Sequence, residues 1–141
     1  MLTDQQVSTI AKHFIVACIW ADCEEGTHPR ETKAAIATAE FIVRKFYKIN
    51  ARVVDAVLRI GKENGYGSHP DAGSPEAAFG HDMYLTSQGH GANIMDRSEL
   101  PHYLRENLSY ALDQFRHRGE SWTYDYEFYR GWLYLHTRGK Q

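Results

Sequence analysis

Apolar positions at the start of the chain recur with helical spacing. Val7, Ile10, Phe14, Ala17 and Cys18 form one stripe, and Thr3 with Gln6 three residues later forms a capping box. This predicts a first helix that ends near Gly26, before His28-Pro29. A second helical pattern opens after Pro29, with Ile36, Val43, Phe46, Val53, Val57 and Ile60 on one face if the helix runs through Asn50. Asn is also a common helix cap, so Asn50 could instead divide the segment into two shorter helices. The pattern stops at Asn64-Gly65.

Residues 65–74, rich in Gly and holding one Pro, read as an exposed connection. Ser74-Pro75-Glu76 reads as a helix start, with a cap, a first-turn proline and an acid suited to the helix dipole. That helix should run to about Gln88 and stop at Gly89. Ala92 to Met95 is expected to be a short strand. Ser98 or Asp96 is expected to cap the next helix, with Pro101 in its first turn, Leu104, Leu108, Leu112 and Phe115 on its apolar face, and Gly119 at its end.

The tail changes period. Trp122 to Phe128 alternates every second residue, and Trp132 to His136 follows after Tyr129-Arg130-Gly131, which predicts a β-hairpin. A lone hairpin is marginal, so it should pack on the helices or pair with the strand at Ala92. The expected fold class is α+β, a mostly helical single domain over 1–141 with a small antiparallel sheet. Its parts are a helical region at 3–64, a loop at 65–74, a helix–loop–strand at 75–97, a helix at 98–118 and a hairpin at 121–138.

Composition narrows the function classes. With 141 residues the chain can bury a sizeable core, and a formal net charge of -2 argues against both a strongly basic nucleic-acid domain and an acidic DNA mimic. Two cysteines, Cys18 and Cys23, suit neither a zinc ribbon nor a disulfide framework, so reduced thiols in the cytoplasm are expected. No apolar run approaches a membrane span, and Met1-Leu2-Thr3-Asp4 does not begin a signal peptide. The protein is expected to act inside the cell that makes it, with no membrane partner.

Residues 80–97 concentrate two His, two Asp, an Arg and three Gly. Gly80-His81-Asp82, Leu85-Thr86, His90-Gly91 and Asp96-Arg97 resemble the motif of an uncharacterised family of small tailed-bacteriophage and prophage proteins. In that family a Gly-His-Asp, an aromatic pair, Leu-Thr-Arg-Asn, a His-Gly and an aromatic-Asp-Arg run follow a helix start. Here Met83-Tyr84 stands for the first aromatic pair, Ser87-Gln88 for Arg-Asn and Ile94-Met95 for the second pair. The match spans Ser74 to Arg97. The resemblance implies a phage or mobile-element origin and brings no activity with it.

The candidate site residues each admit two readings. On a helix from Pro75, His81 falls mid-face with Ala77, Ala78, Tyr84 and Leu85, while Asp82 and Thr86 lie on the flank. The simpler reading makes His81 a buried histidine bonded to a nearby loop. The sharper one brings His81, Asp82, His90 and Asp96 together for proton transfer or a divalent metal, although the spacing matches no established metal signature. Gly89-His90-Gly91 suits a helix stop or a ligand loop. Arg97 either starts the next helix, pairing with a local carboxylate, or belongs to a binding patch.

Arg44, Lys45, Lys48, Arg52, Arg59 and Lys62 share one quadrant of a continuous helix, as a solvated face or as a phosphate-tracking ridge. Tail aromatics left exposed, with Trp122, Tyr124 and Trp132 as candidates, would form an interface patch or a base-stacking platform. Cys18 and Cys23 need no special role.

The leading expectation is a phage-encoded accessory protein that binds a host or defence-system protein or ribonucleoprotein, as an anti-CRISPR or other anti-defence inhibitor does. The alternatives are a small hydrolytic or nucleic-acid-modifying enzyme built on the His/Asp cluster, and direct nucleic-acid binding along the basic helix. A homodimer is compatible with each. No cofactor or metal is assigned.

Overall fold

The computed structural model describes residues 1–24, 29–68, 73–117 and 122–139. Among these residues four helices carry most of the chain: α1 (Asp4–Asp22), α2 (Lys33–Asn64), α3 (Pro75–Ser87) and α4 (His102–His117). Three strands accompany them among the described residues: β1 (Arg30–Glu31), β2 (Trp122–Tyr129) and β3 (Trp132–Gly139). The fold is α+β. The expected C-terminal hairpin is present, with β2 antiparallel to β3. β1 adds a parallel partner on the other side of β3, so the sheet is mixed, in the order β1-β3-β2.

Local signals set most helix ends. Thr3 and Gln6 form the capping box of α1, and Val7, Ile10, Phe14, Ala17 and Cys18 are all buried. The helix stops at Asp22, short of Gly26, and Gly26 and His28 lie outside the described residues. Ser74 caps α3, with its Oγ accepting from the Ala77 amide. At the other end the Gly89 and His90 amides donate to the Thr86 and Leu85 carbonyls, the paired bonds of a Schellman motif, with Gly89 at φ 75°. The Arg130-Gly131 turn, with both residues at positive φ, closes the hairpin.

Asn50 satisfies both readings of α2. The helix continues through it, but Asn50 has non-helical angles (φ -123°, ψ 32°) and its Nδ2 donates to the Phe46 carbonyl. The kink rotates the buried face. Val54 and Leu58 enter the core beside Val57, while Val53 and Ile60 are half-buried and Ile36 is exposed.

Two sequence expectations fail between α3 and α4. Residues 92–95 form no strand. Ile94–Asp96 is a 3₁₀ turn with Asn93 as its cap and Asp96 closing its capping box. Nor does Asp96 or Ser98 start α4, which begins at His102 with Pro101 just before it. The Pro101 carbonyl accepts from the Leu104 and Arg105 amides, and a proline there loses no helical donor. Leu104, Leu108 and Leu112 are buried as expected, and the Phe115 side chain and Gly119 lie outside the described residues.

α3 is the central helix. Nine of its residues are buried, Asp82 and Ser87 among them, so it has no solvent face to define an amphipathic pattern. α1 crosses it at Gly80. A Cβ at Gly80 would lie 2.4 Å from the Ile10 carbonyl oxygen and 2.9 Å from His13 Cβ, so only glycine permits this approach.

Candidate functional site

Burial reverses the expected roles of two neighbours on α3. Asp82, placed on the flank by the sequence pattern, is 1% exposed, whereas His81 is half-buried. α3 is covered from several sides, so burial at each position depends on where α1 and the 92–99 segment lie.

Asp82 is held from two directions. Arg97 Nε lies 3.0 Å from both carboxylate oxygens and Nη2 2.7 Å from Oδ1. Tyr66 donates its hydroxyl to Oδ2 at 2.6 Å. The Tyr66 phenol is pushed well above its usual range, first by burial and then by the Asp82 charge, so it stays a donor. The bonds to Asp82 hold the Arg97 guanidinium charged. Arg97 therefore pairs with a local carboxylate but does not start α4.

The other motif residues go elsewhere. His90 Nε2 lies 3.0 Å from Asp22 Oδ2, an oxygen that also accepts from the Tyr84 hydroxyl. Burial pushes the Tyr84 phenol up, keeping it protonated. Asp96 Oδ2 accepts from the Asn93 amide within the 3₁₀ turn, and Thr86 Oγ1 accepts from the Ile94 amide. His81 has no hydrogen bond among the described residues, and its ring centroid lies 5.3 Å from that of His13. The expected His81–Asp82–His90–Asp96 cluster is thus divided among separate partners. Among the described residues no group of three or more His, Cys, Asp or Glu side chains could hold a metal.

The two histidines also line different cavities. His90 borders one of about 480 Å³ between the end of α3 and α4, with Thr86, Asn93, Glu106 and Tyr110. His81 borders a cleft of about 500 Å³ between α1, α3 and the 92–99 segment. His13, Val16 and Trp20 supply its α1 wall, Ala78 and Leu85 its α3 wall, and Arg97 and Glu99 its polar rim. Burial holds both imidazoles below their usual pKa, and their mutual repulsion lowers His13 further. Sequence reasoning missed the α1 wall. Its signal is a second stripe, His13-Val16-Trp20, on the flank of the one that enters the core.

Tyr124 is buried, with its hydroxyl bonded to Ser87 Oγ and its ring edge-on to Phe14, so it is a core residue and not an interface residue. Tyr124 falls on the face of β2 that meets the helices, also touching the Tyr84 ring of α3. The Trp122 side chain lies outside the described residues. Trp132 is 43% exposed and Tyr129 54%. On α2, Lys48, Arg52, Arg59 and Lys62 are exposed, Arg44 is paired with Asp4 at 2.9 Å, and the Asn50 kink falls between Lys48 and Arg52. Cys18 is buried and its thiol is pushed up to about 12, chiefly by burial, so it is no nucleophile at neutral pH.

Compared with known proteins, the chain matches no family model, no curated protein and no solved structure. Among the described residues no helix is long and apolar enough to cross a membrane.

Proposed function

We propose that this protein is a phage-encoded accessory factor that works by binding a host or defence-system macromolecule in the bacterial cytoplasm. The observation that carries the binding half of this reading is the tip of the hairpin. Tyr129 and Trp132 face each other across the Arg130-Gly131 turn, both exposed, and the Arg130 guanidinium lies 5.2 Å from the centre of the Tyr129 ring. Tyr, Trp and Arg are the residue types that dominate interface hot spots. A tight turn presents them with little conformational freedom to lose on binding. The phage and anti-defence half rests on the motif resemblance alone.

The dispersal of His81, Asp82, His90 and Asp96 favours binding over catalysis, since proton transfer needs its groups within hydrogen-bond reach of one another. Capture of partners from a host lysate with the tagged protein tests the reading. The wild type should retain a stoichiometric partner, and the Tyr129→Ala/Trp132→Ala variant should lose it while keeping its melting temperature. Equal capture by both proteins would contradict it.

A further inference from the structure

We propose that the cleft between α1, α3 and residues 92–99 is a binding site for a purine base, guanine in preference to adenine. The proposal is independent of the hairpin tip, which uses other elements and other residues. It rests on the size, the charge balance and the donor pattern of the cleft.

At about 500 Å³ the cleft lies in the range of small-molecule sites and holds a fused bicyclic ring with its sugar. Its walls are apolar and one is aromatic. Trp20 is 73% exposed at the rim, beside Val16, and offers an indole face of the kind on which bases stack. Trp20 is not among the buried residues of the hydrophobic core.

The charges nearly cancel. Arg97 is balanced by buried Asp82, which leaves Glu99 as a single acidic group among the lining residues. Burial favours the neutral form of both imidazoles, so they add little positive charge to the cleft at neutral pH. A strongly charged ligand finds no matching field here, whereas an uncharged heterocycle with many hydrogen-bonding edges does.

The polar groups have unused capacity. Arg97 binds Asp82 through Nε and Nη2, so among the described residues its Nη1 edge has no hydrogen bond, and the side chain is 34% exposed towards the cleft. A guanidinium edge suits the adjacent O6 and N7 acceptors of guanine. The Glu99 carboxylate suits the donors at N1 and N2, which adenine lacks in that arrangement. The Asp82 and Tyr66 bonds fix the guanidinium in advance, which limits the ordering cost of binding.

The same base could be free or presented by an unstacked single strand, and one experiment separates these sources. Guanosine, adenosine, uridine and the RNA tetramer UUGU are titrated into the full-length protein while the His13 and His81 ring signals and the Trp20 indole signal are followed by NMR. Guanosine should shift all three in a saturable way. Trp20→Ala should weaken it about tenfold, the usual loss of one stacking face. Glu99→Gln should abolish the preference for guanosine over adenosine. Both substitutions are on accessible side chains, so the variants should keep the fold, as their unchanged methyl spectra would show. Tighter binding of UUGU than of guanosine at the same residues points to a base held in a strand, and the reverse points to a free nucleoside. Absence of saturable shifts with every probe, equal response to guanosine and uridine, or an unaltered response in Trp20→Ala would each overturn the proposal.

Discussion

Asp82 shows what a motif residue can be for. A carboxylate this buried is tolerable only because Arg97 and Tyr66 together satisfy its oxygens. Removing one partner leaves a charge without compensation, so Arg97→Ala should cost about 3 kcal/mol of unfolding free energy. Tyr66→Phe, which removes one bond to the charged oxygen, should cost about 1.5 kcal/mol. Chemical denaturation of the two variants beside the wild type checks both values and their order. A second prediction concerns pH. His13 and His81 have folded pKa values below the unfolded ones, so the unfolded state takes up protons first as pH falls. Their groups face Lys12 on one side and Asp82 and Arg97 on the other. The stability they leave intact at neutral pH should therefore decline as pH falls from about 7 to about 5. Replacing both by Gln should flatten the melting temperature across that interval.

At the scale of elements, α3 is covered on most sides, and Gly80 permits the close approach of α1. Gly80→Ala would drive a methyl group into the Ile10 carbonyl and the His13 side chain, and should destabilise by about 2 kcal/mol through overpacking. Urea titration gives that value. A cost near zero would mean that α1 is free to shift. The elements also show which parts of this fold the sequence exposes. The Thr3 and Ser74 caps, the Gly89 stop and the Arg130-Gly131 turn are local devices, and each is found where the residues indicate. What failed depends on distant packing. The reading of residues 92–95 as a strand lost to a cap-driven 3₁₀ turn at Asn93, and the buried face of α2 changes at the Asn50 kink. His81 and Asp82 exchanged their expected places because α3 lies inside the molecule. The sequence leaves Tyr124 open as an interface residue because alternation gives two faces but does not say which one meets the helices.

At the scale of the molecule, one hydrophobic cluster joins α1 to α4 and both long strands. The polar motif ties three neighbours to α3: the end of α1 through Asp22, the end of α2 through Tyr66, and the approach to α4 through Arg97. On this account the motif builds the scaffold, and partner capture lies on the hairpin tip that the scaffold carries. The most direct measurement compares partner capture from host lysate by the wild type, by His90→Ala and by Tyr129→Ala/Trp132→Ala, each first shown to be folded. The account predicts that His90→Ala retains the partner and the hairpin-tip variant loses it. Loss of the partner in His90→Ala with retention in the hairpin-tip variant would contradict it and place the function in the motif.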